Sequence, residues 1–371
     1  VIGSAPALGV TSVMIDAAHL DADENVGQTA AFVERAHAAG LFVEAELGQV
    51  GGKDGRVLGA HEPGARTDPG EAAAFATQTG VDALAVAVGS SHAMTTRDAE
   101  LDMALIRDIA AKEIAPKADE YEKNAEFPAE VFKTLGEAGL LGLPYPEEYG
   151  GAGQPYEVYL QCIEELSSAW MAIGVGVSIH ALTCFPVFNY GTEEQKQRLL
   201  PDMVGGQWFG SYCLSEPAAG SDVASMKTKA VGSGEVDETG RSESYAISGG
   251  KMWISHAGHA DFYTTFARTG ENDGKGISCF HVPAGTEGLT FAEPERKMGL
   301  HSDTVREVLY DKVTVPGENL IGTPGKGLNI ALAALDSGRL GIAAASTGLA
   351  QAATDLALKY AAEREQFGKP I

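Results

Sequence analysis

The sequence predicts a multidomain chain: a short parallel β/α unit, then a helical domain, a β-rich middle domain and the first part of a second helical domain. Three observations predict this order. Up to about Ala93, apolar strands alternate with amphipathic helices. From Met94 to about Gly206 the apolar residues recur at helical spacing, and from Gln207 to Pro316 they fall in short runs divided by Gly, Asp and Pro.

A chain of 371 residues has room for two or three domains with their own cores, so no disulfide or metal staple is required. Lys and Arg number 27 against 51 Asp and Glu, a formal charge of −24, which argues against general binding to nucleic acid or to an anionic membrane surface. The four cysteines, Cys162, Cys184, Cys213 and Cys279, lack any C-x-x-C spacing and suit a reducing compartment, so the expected location is cytoplasmic. No apolar run is expected to span a bilayer, and no signal-type segment opens the sequence. With Val1 at one end and "REQFGKPI" at the other, the sequence reads as a piece of something longer, and Met94 reads as a start-like residue inside it.

In the first block "TSVMID" is a strand, "ADENVGQTAAFVERAHAAG" an amphipathic helix closed by Gly40, and "LFVEAELG" a second strand. Asp68 is expected to cap "PGEAAAFATQTG", with Pro69 at the first helical position, and "VDALAVAVG" is a third strand, apolar on both faces. This βαβαβ order gives a parallel sheet whose strands end in polar groups: Asp16 after the first, Glu44 and Glu46 on the second, His92 beyond the third. Carboxylates and an imidazole at the carboxyl ends of parallel strands suit a divalent cation, although such carboxylates more often cap helices or face water.

The phrases "SVMIDAAHLDADENV", "VEAELGQVGGKDG", "TDPGEAAAF" and "TGVDALAVAVGSSH" resemble the class II ketose-bisphosphate aldolases, the fructose- and tagatose-bisphosphate group. The resemblance implies that His92 is a zinc ligand, that Asp16 and Glu46 serve a second cation position, and that Gly51 and Gly52 lie beside a mobile loop. The family's proton-transferring Asp, its other zinc histidines and its phosphate loop have no counterpart, and a barrel of this type needs about eight strands. Residues 1–93 are therefore expected to be a partial (β/α) barrel fragment that does not perform aldol cleavage.

After Met94, "LDMALIRDIAAKEIAPKADEYEKN" and "PAEVFKTLGEAGLLG" are expected helices, the second started by Pro128 and stopped by Gly139 or Gly142. A long apolar helical region runs from Tyr156 to Tyr190, and Thr192 with Gln195 makes a capping box for "EEQKQRLLPDMVGG". Strands are expected at "WFGSYCLSE", "SYAISGGKMWIS", "DFYTTFART", "GISCFHV" and "REVLYDKVTV". The stretch "VGSGEVDETGRSES" reads as a mobile polar hairpin connection, and from Gly325 an alanine-rich helix pair begins.

Chemistry gathers around "SYCLSEPAAGSDVASMKT". Ser215, Glu216, the small run Ala218-Ala219-Gly220 and Ser221 offer hydroxyls and approachable backbone amides to a planar heterocycle or a polar chain, although a Pro-Ala-Ala-Gly loop is more often only a turn. In "KMWISHAG", Trp253 could cover a ring system with Ser255 as a polar handle, whereas a tryptophan in a β-domain is usually core. Asp336 and Arg339 in "LDSGR" share one helical face, which favours a plain ion pair over an anion-contacting arginine. Neither a Walker loop nor a G-x-G-x-x-G fingerprint is present.

From about Leu101 to Ile371 the sequence resembles the acyl-CoA dehydrogenases, in "EFPAEVFKTLGEAGLLGLPYPEEYGGAG", "YGTEEQKQRLLPDMVGGQWFGSYCLSEPAAGSDVASMKTKA", "ISGGKMWISHAGHADFYTTFART", "KMGL" with "VTVPGENLIG", and "EREQFGKPI". The resemblance implies an acyl-CoA dehydrogenase-like N-terminal α-domain over residues 94–206, a middle β-domain over 207–320 and a truncated C-terminal α-bundle over 321–371. It further implies a homotetramer, with FAD held by Tyr212, Leu214, Ser215, Gly220, Ser221, Trp253, Ile254 and Ser255, and by Arg364 and Gln366 of a neighbouring subunit. Ser221, Asp336 and Arg339 would contact the acyl-CoA substrate, and electrons would pass to electron-transfer flavoprotein in fatty acid metabolism. His301 stands where many members carry arginine.

The family's reaction needs a carboxylate base at the substrate α-carbon. Most members place it in later helices and some just before the arginine matching Arg339, where this chain has Gly338; no base is visible, and the chain is expected to lack dehydrogenase turnover. The alternatives are a zinc-dependent aldolase fragment and a non-catalytic chimeric or misassembled chain with exposed apolar edges.

Overall fold

The computed structural model describes residues 11–15, 17, 20, 22–47, 69–86, 103–270 and 276–371. The chain divides into two compact units, Val1–Asp108 and Ile109–Ile371.

In the first unit β1 (Ser12–Ile15), α1 (Ala22–Ala38), β2 (Phe42–Leu47), α2 (Pro69–Thr79) and β3 (Ala83–Val86) follow one another, and the strands form a parallel sheet in the order β1-β2-β3. Strand alternation turns Val13, Ile15 and Val43 toward Val33 and Ala36 of α1, while Met14 and Phe42 stay exposed on the other side. Gly40 ends the α1 turn with a φ of +73°, as expected of a glycine closing a helix. Asp82 ties the helix end to the sheet: its carboxylate lies 2.7 Å from His37 Nε2 and accepts the Val43 N–H at 2.7 Å. Those bonds, the His37 contact first, hold the Asp82 carboxyl below its ordinary range.

The helical part departs from expectation where single residues override the apolar period. One helix was expected from Leu101 to Asn124. Instead α3 (Met103–Ile109) passes through one wider turn, Ala110–Ile114, into α4 (Ala115–Asn124), because Pro116 lacks the N–H that a continuous helix would use. After α5 (Ala129–Glu137), Gly139 adopts a φ of +74° and stops the helix. The Tyr156–Tyr190 region is two helices, α6 (Tyr156–Ala169) and α7 (Met171–Tyr190), divided at Trp170, whose extended backbone lets the indole N–H donate to Glu122 at 2.9 Å. In α8 (Glu193–Val204) the capping box forms as read, with Thr192 Oγ1 accepting from Gln195 N at 3.3 Å and Gln195 Oε1 accepting from Thr192 N at 2.9 Å.

The β-region holds β4 (Gly210–Cys213), β5 (Lys229–Val236), β6 (Ser242–Ser255), β7 (Phe262–Arg268), β8 (Ile277–Pro283), β9 (Leu289–Phe291), β10 (Val305–Pro316) and β11 (Leu320–Ile321). Their order is β11-β8-β7-β5-β6-β10-β9, with β4 parallel to β7. Tyr245, Ile247, Ile254, Tyr263, Phe280, Val282, Val308 and Val313 form its core. The polar stretch read as a connection is itself strand β5 up to Val236. Only Ala230 of β5 is buried, so no apolar alternation marked it, and Asp237 Oδ1 closes the remaining turn by accepting the N–H groups of Thr239 and Arg241 at 2.9 Å each.

The expected alanine-rich helix pair is one helix, α9 (Gly327–Glu363). Its glycines are contact points and not breaks. A Cβ on Gly341 would stand 2.1 Å from Ser178 Oγ, and one on Gly348 would stand 2.1 Å from the Glu164 carbonyl oxygen. Beyond it, β12 (Glu365–Gln366) and β13 (Lys369–Pro370) pair through a two-residue turn with positive φ at Phe367 and Gly368, the twist-matched hairpin type. By length and composition alone α7 and α9 could cross a bilayer, a test that the core helix of a folded domain also passes, and α7 is mostly buried as such a core helix.

Candidate functional site

The loop between β4 and β5 has two distinct sides. Leu214, Glu216, Ala219, Val223, Met226 and Thr228 are buried, whereas Pro217, Ala218, Gly220, Ser221 and Asp222 face outward. Glu216 and Ala219 exchange backbone hydrogen bonds at 3.0 and 3.1 Å, which closes the Pro217-Ala218 turn. A Cβ on Gly220 would meet nothing within 4 Å, so the space before it is open. Beside the loop, Met252 N donates to Ser215 O at 2.9 Å and registers β6 against it.

Trp253 follows on β6 and is 60% exposed, with a left-handed φ of 58°. The common expectation of a core tryptophan is therefore not met: an indole held out of the core by an uncommon backbone conformation leaves a large flat face available. Ser255 ends the strand half-buried, its hydroxyl donating to Asp303 at 3.2 Å while its carbonyl accepts from Ser211 Oγ at 2.6 Å. Leu214 and Ile254 have buried side chains, so only their main-chain groups are presented. Tyr212 turns its ring onto Phe266 and donates its hydroxyl to Ala331 O of α9 at 3.2 Å, with burial pushing its pKa well up.

A cleft of about 180 Å³ lies between α6, α7 and α9, lined by Tyr145, Tyr156, Tyr159, Leu182, Phe185 and Gly338 among others. Tyr156 bridges it, its hydroxyl donating to Ser337 O at 2.9 Å and lying 2.7 Å from Ser337 Oγ. Asp336 and Arg339 flank those cleft residues and form the plain ion pair expected from spacing, at 3.3 Å and about 70% exposed each. No carboxylate lines the cleft. Desolvation raises the pKa of Tyr145, Tyr156 and Tyr159, so all three keep their protons at neutral pH and act as hydroxyl donors, not bases.

Arg364 and Gln366 are exposed beyond α9, in and beside the terminal hairpin. His301, opaque in sequence, donates its backbone N–H to Glu122 and sets its ring nitrogen 3.0 Å from Lys297 O. Asp16, Gly51, Gly52, His92 and the Glu46 side chain lie outside the described residues, and among the described residues no cluster of three metal-ligating side chains occurs. Sequence reasoning missed Lys251, Arg268 and Asp303, which support the loop and strand from beneath. Lys251 has a visible signal, a lone cation at an inward position of an alternating strand.

The Acyl-CoA dehydrogenase N-terminal, middle and C-terminal domain families match residues 96–207, 211–313 and 325–371, and the Fructose-bisphosphate aldolase class-II family matches residues 1–117. An acyl-CoA dehydrogenase of Bacillus subtilis is 42% identical over 269 residues, covering 72% of this chain and 69% of its own length. The structure of butyryl-CoA dehydrogenase from Megasphaera elsdenii matches with a TM-score of 0.68 and 35% identity over 72% of this chain and 70% of that one. A glutaryl-CoA dehydrogenase from Mycobacterium smegmatis, solved in complex with FADH2, matches with a TM-score of 0.66 and 31% identity over 72% of this chain and 66% of that one.

Proposed function

The chain belongs to the acyl-CoA dehydrogenase family, and from that premise we propose that it binds FAD and an acyl-CoA thioester and is built for α,β-dehydrogenation of the acyl chain. The observation that carries this reading is the Tyr212 hydroxyl on Ala331 O. It joins the strand that enters the outward-facing loop to the helix that lines the aromatic cleft, so the two binding surfaces form one body. In the proposed division, residues 94–206 are the α-domain, 207–320 the β-domain and 321–371 part of the C-terminal α-bundle.

The residues present fit a flavin: exposed Trp253 offers a flat face, Gly220 leaves open space, and Ser221 stands exposed beside it on the loop. Bound there, FAD would supply the hydride acceptor for the β-hydrogen. The chain's own part is to hold and orient: Ser221, Asp336 and Arg339 engage the acyl-CoA, and the cleft excludes water from the acyl chain. Removal of the α-proton needs a carboxylate, and the cleft-lining residues provide none, so we infer that these residues bind without turning over. The same reading makes electron-transfer flavoprotein the electron acceptor, and a cytoplasmic homotetramer the assembly in which Arg364 and Gln366 reach a neighbour's FAD.

For the first unit we infer a partial (β/α) barrel fragment, supported by three parallel strands with Val33 and Ala36 of α1 packed on one face and Met14 and Phe42 bare on the other. Any zinc chemistry is confined to that fragment and to His92. The test of the main reading is to incubate the purified chain with FAD, desalt it and record the visible spectrum. A retained flavin band is expected; a colourless protein would overturn the cradle assignment.

A further inference from the structure

Three charged side chains are buried beneath the β4–β5 loop: Glu216, Lys251 and Arg268. Glu216 stands near the start of the loop and its carboxylate accepts the N–H groups of Lys227 at 2.6 Å and Thr228 at 3.0 Å, so one side chain closes the neck of the loop. Lys251 is wholly buried and donates to the same carboxylate at 2.8 Å and to Leu214 O at 3.1 Å. Arg268 reaches in from β7, donating to Ala224 O at 2.7 Å and Met226 O at 3.1 Å. Lys251 lies two residues before Trp253 on the same strand, so the pair spans the two surfaces proposed to face the flavin.

A buried ion pair is a poor source of stability, since desolvating both charges offsets their attraction, and well-packed apolar replacements are often neutral or better. What such a pair supplies is a fixed geometry. Here the geometry has few alternatives, because the carboxylate accepts three donors from two segments and the ammonium, carried by β6, binds the loop at both the Glu216 carboxylate and the Leu214 carbonyl. Burial would push the Glu216 pKa up, but the Lys251 ammonium and the two backbone donors outweigh it and keep the carboxylate charged.

We infer that the Glu216–Lys251 pair is a positioning clamp: it locks the Ser215–Ser221 loop to the β6 segment that presents Trp253, setting the flavin cradle before the cofactor arrives. The role assigned to the clamp rests on the flavin reading above, whereas the clamp itself rests on the loop geometry.

The experiment compares the full chain with Glu216→Gln and with the double variant Glu216→Leu, Lys251→Met. Three quantities are read: thermal midpoint, hydrogen exchange of the 214–228 amides without cofactor, and FAD affinity by fluorescence titration. The double variant removes the charges together but also the acceptor of the Lys227 and Thr228 N–H groups, so it is expected to fold with a lowered midpoint, while its loop amides exchange at least tenfold faster and FAD binds at least tenfold more weakly. Loop amides as protected as before, or faster exchange with unchanged FAD affinity, would overturn the clamp. If the double variant does not fold, Glu216→Gln decides in the same way with a smaller acceleration, since it keeps one acceptor and loses the charge. Failure of the unmodified chain to take up FAD would instead overturn the flavin reading, and the exchange measurement would still decide the clamp.

Discussion

Replacing Gly348 by alanine sets two effects of opposite sign against each other in the middle of α9. In an isolated helix the change gains about 1 kcal/mol, because glycine carries the larger backbone entropy cost. In this structure the new Cβ would stand 2.1 Å from Glu164 O, 2.9 Å from Glu164 C and 3.1 Å from Ser168 N, all of them main-chain atoms of α6. A rotamer change cannot relieve a clash with backbone, so α6 and α9 must separate, an overpacking that costs about 3 kcal/mol or more. Packing wins, and Gly348→Ala is expected to destabilise by about 2 kcal/mol, or about 4–8 °C in the thermal midpoint for a unit of this size. The three tryptophans, Trp170, Trp208 and Trp253, all lie in the Ile109–Ile371 unit, so their fluorescence reports its unfolding. Gly338→Ala is the control, because its Cβ would meet only the flexible Leu182 side chain at 3.2 Å, and it should leave the midpoint unchanged or raise it slightly. A Gly348→Ala midpoint at or above that of the unmodified chain would refute the close-contact reading of α9.

Acid should weaken the same unit before it titrates the carboxylates. Burial lowers the pKa of His180 to about 3 and of His281 to about 4, and also lowers that of His256, so all three are neutral in the fold while the unfolded chain takes up their protons from about pH 6.5 downward. Their stabilisation is complete above about pH 6.5 and is lost as pH falls toward those native values, at up to about 1.4 kcal/mol per pH unit for each histidine; a thermal midpoint flat from pH 7 to 4.5 would contradict this. Thr192→Ala removes the oxygen that caps α8 and should cost about 1 kcal/mol, read by tryptophan-monitored denaturation. Arg339→Ala breaks an exposed ion pair and should change stability by less than about 1 kcal/mol. Calorimetric titration with an acyl-CoA should nevertheless show weaker binding, and unchanged affinity would remove Arg339 from the proposed substrate surface.

Much of the second unit was legible because its signals are local. The Thr192–Gln195 capping box and the glycine stop each depend on residues within one turn; the box forms as read, and of the two glycines offered, Gly139 and Gly142, the structure stops at Gly139. The strand β5 was not legible, since only Ala230 is buried and its polar face looks like a loop. The breaks at Pro116 and Trp170 interrupted longer apolar runs, while the glycines of α9 interrupted nothing, because a helix tolerates glycine where a neighbouring backbone fills the space.

The same division holds at the site. Local sequence determined which residues stand on the loop, on the strand that carries Trp253 and on the helix face shared by Asp336 and Arg339. Exposure of Trp253 in place of burial, the union of loop and cleft through Tyr212 and Ala331, and the meeting of Glu216 with Lys251 were decided only by tertiary structure. The physical reason is range. Caps, turns and strand alternation act between residues a few positions apart, whereas the partner of a buried charge or hydroxyl is chosen by chain segments that become neighbours only when the core closes.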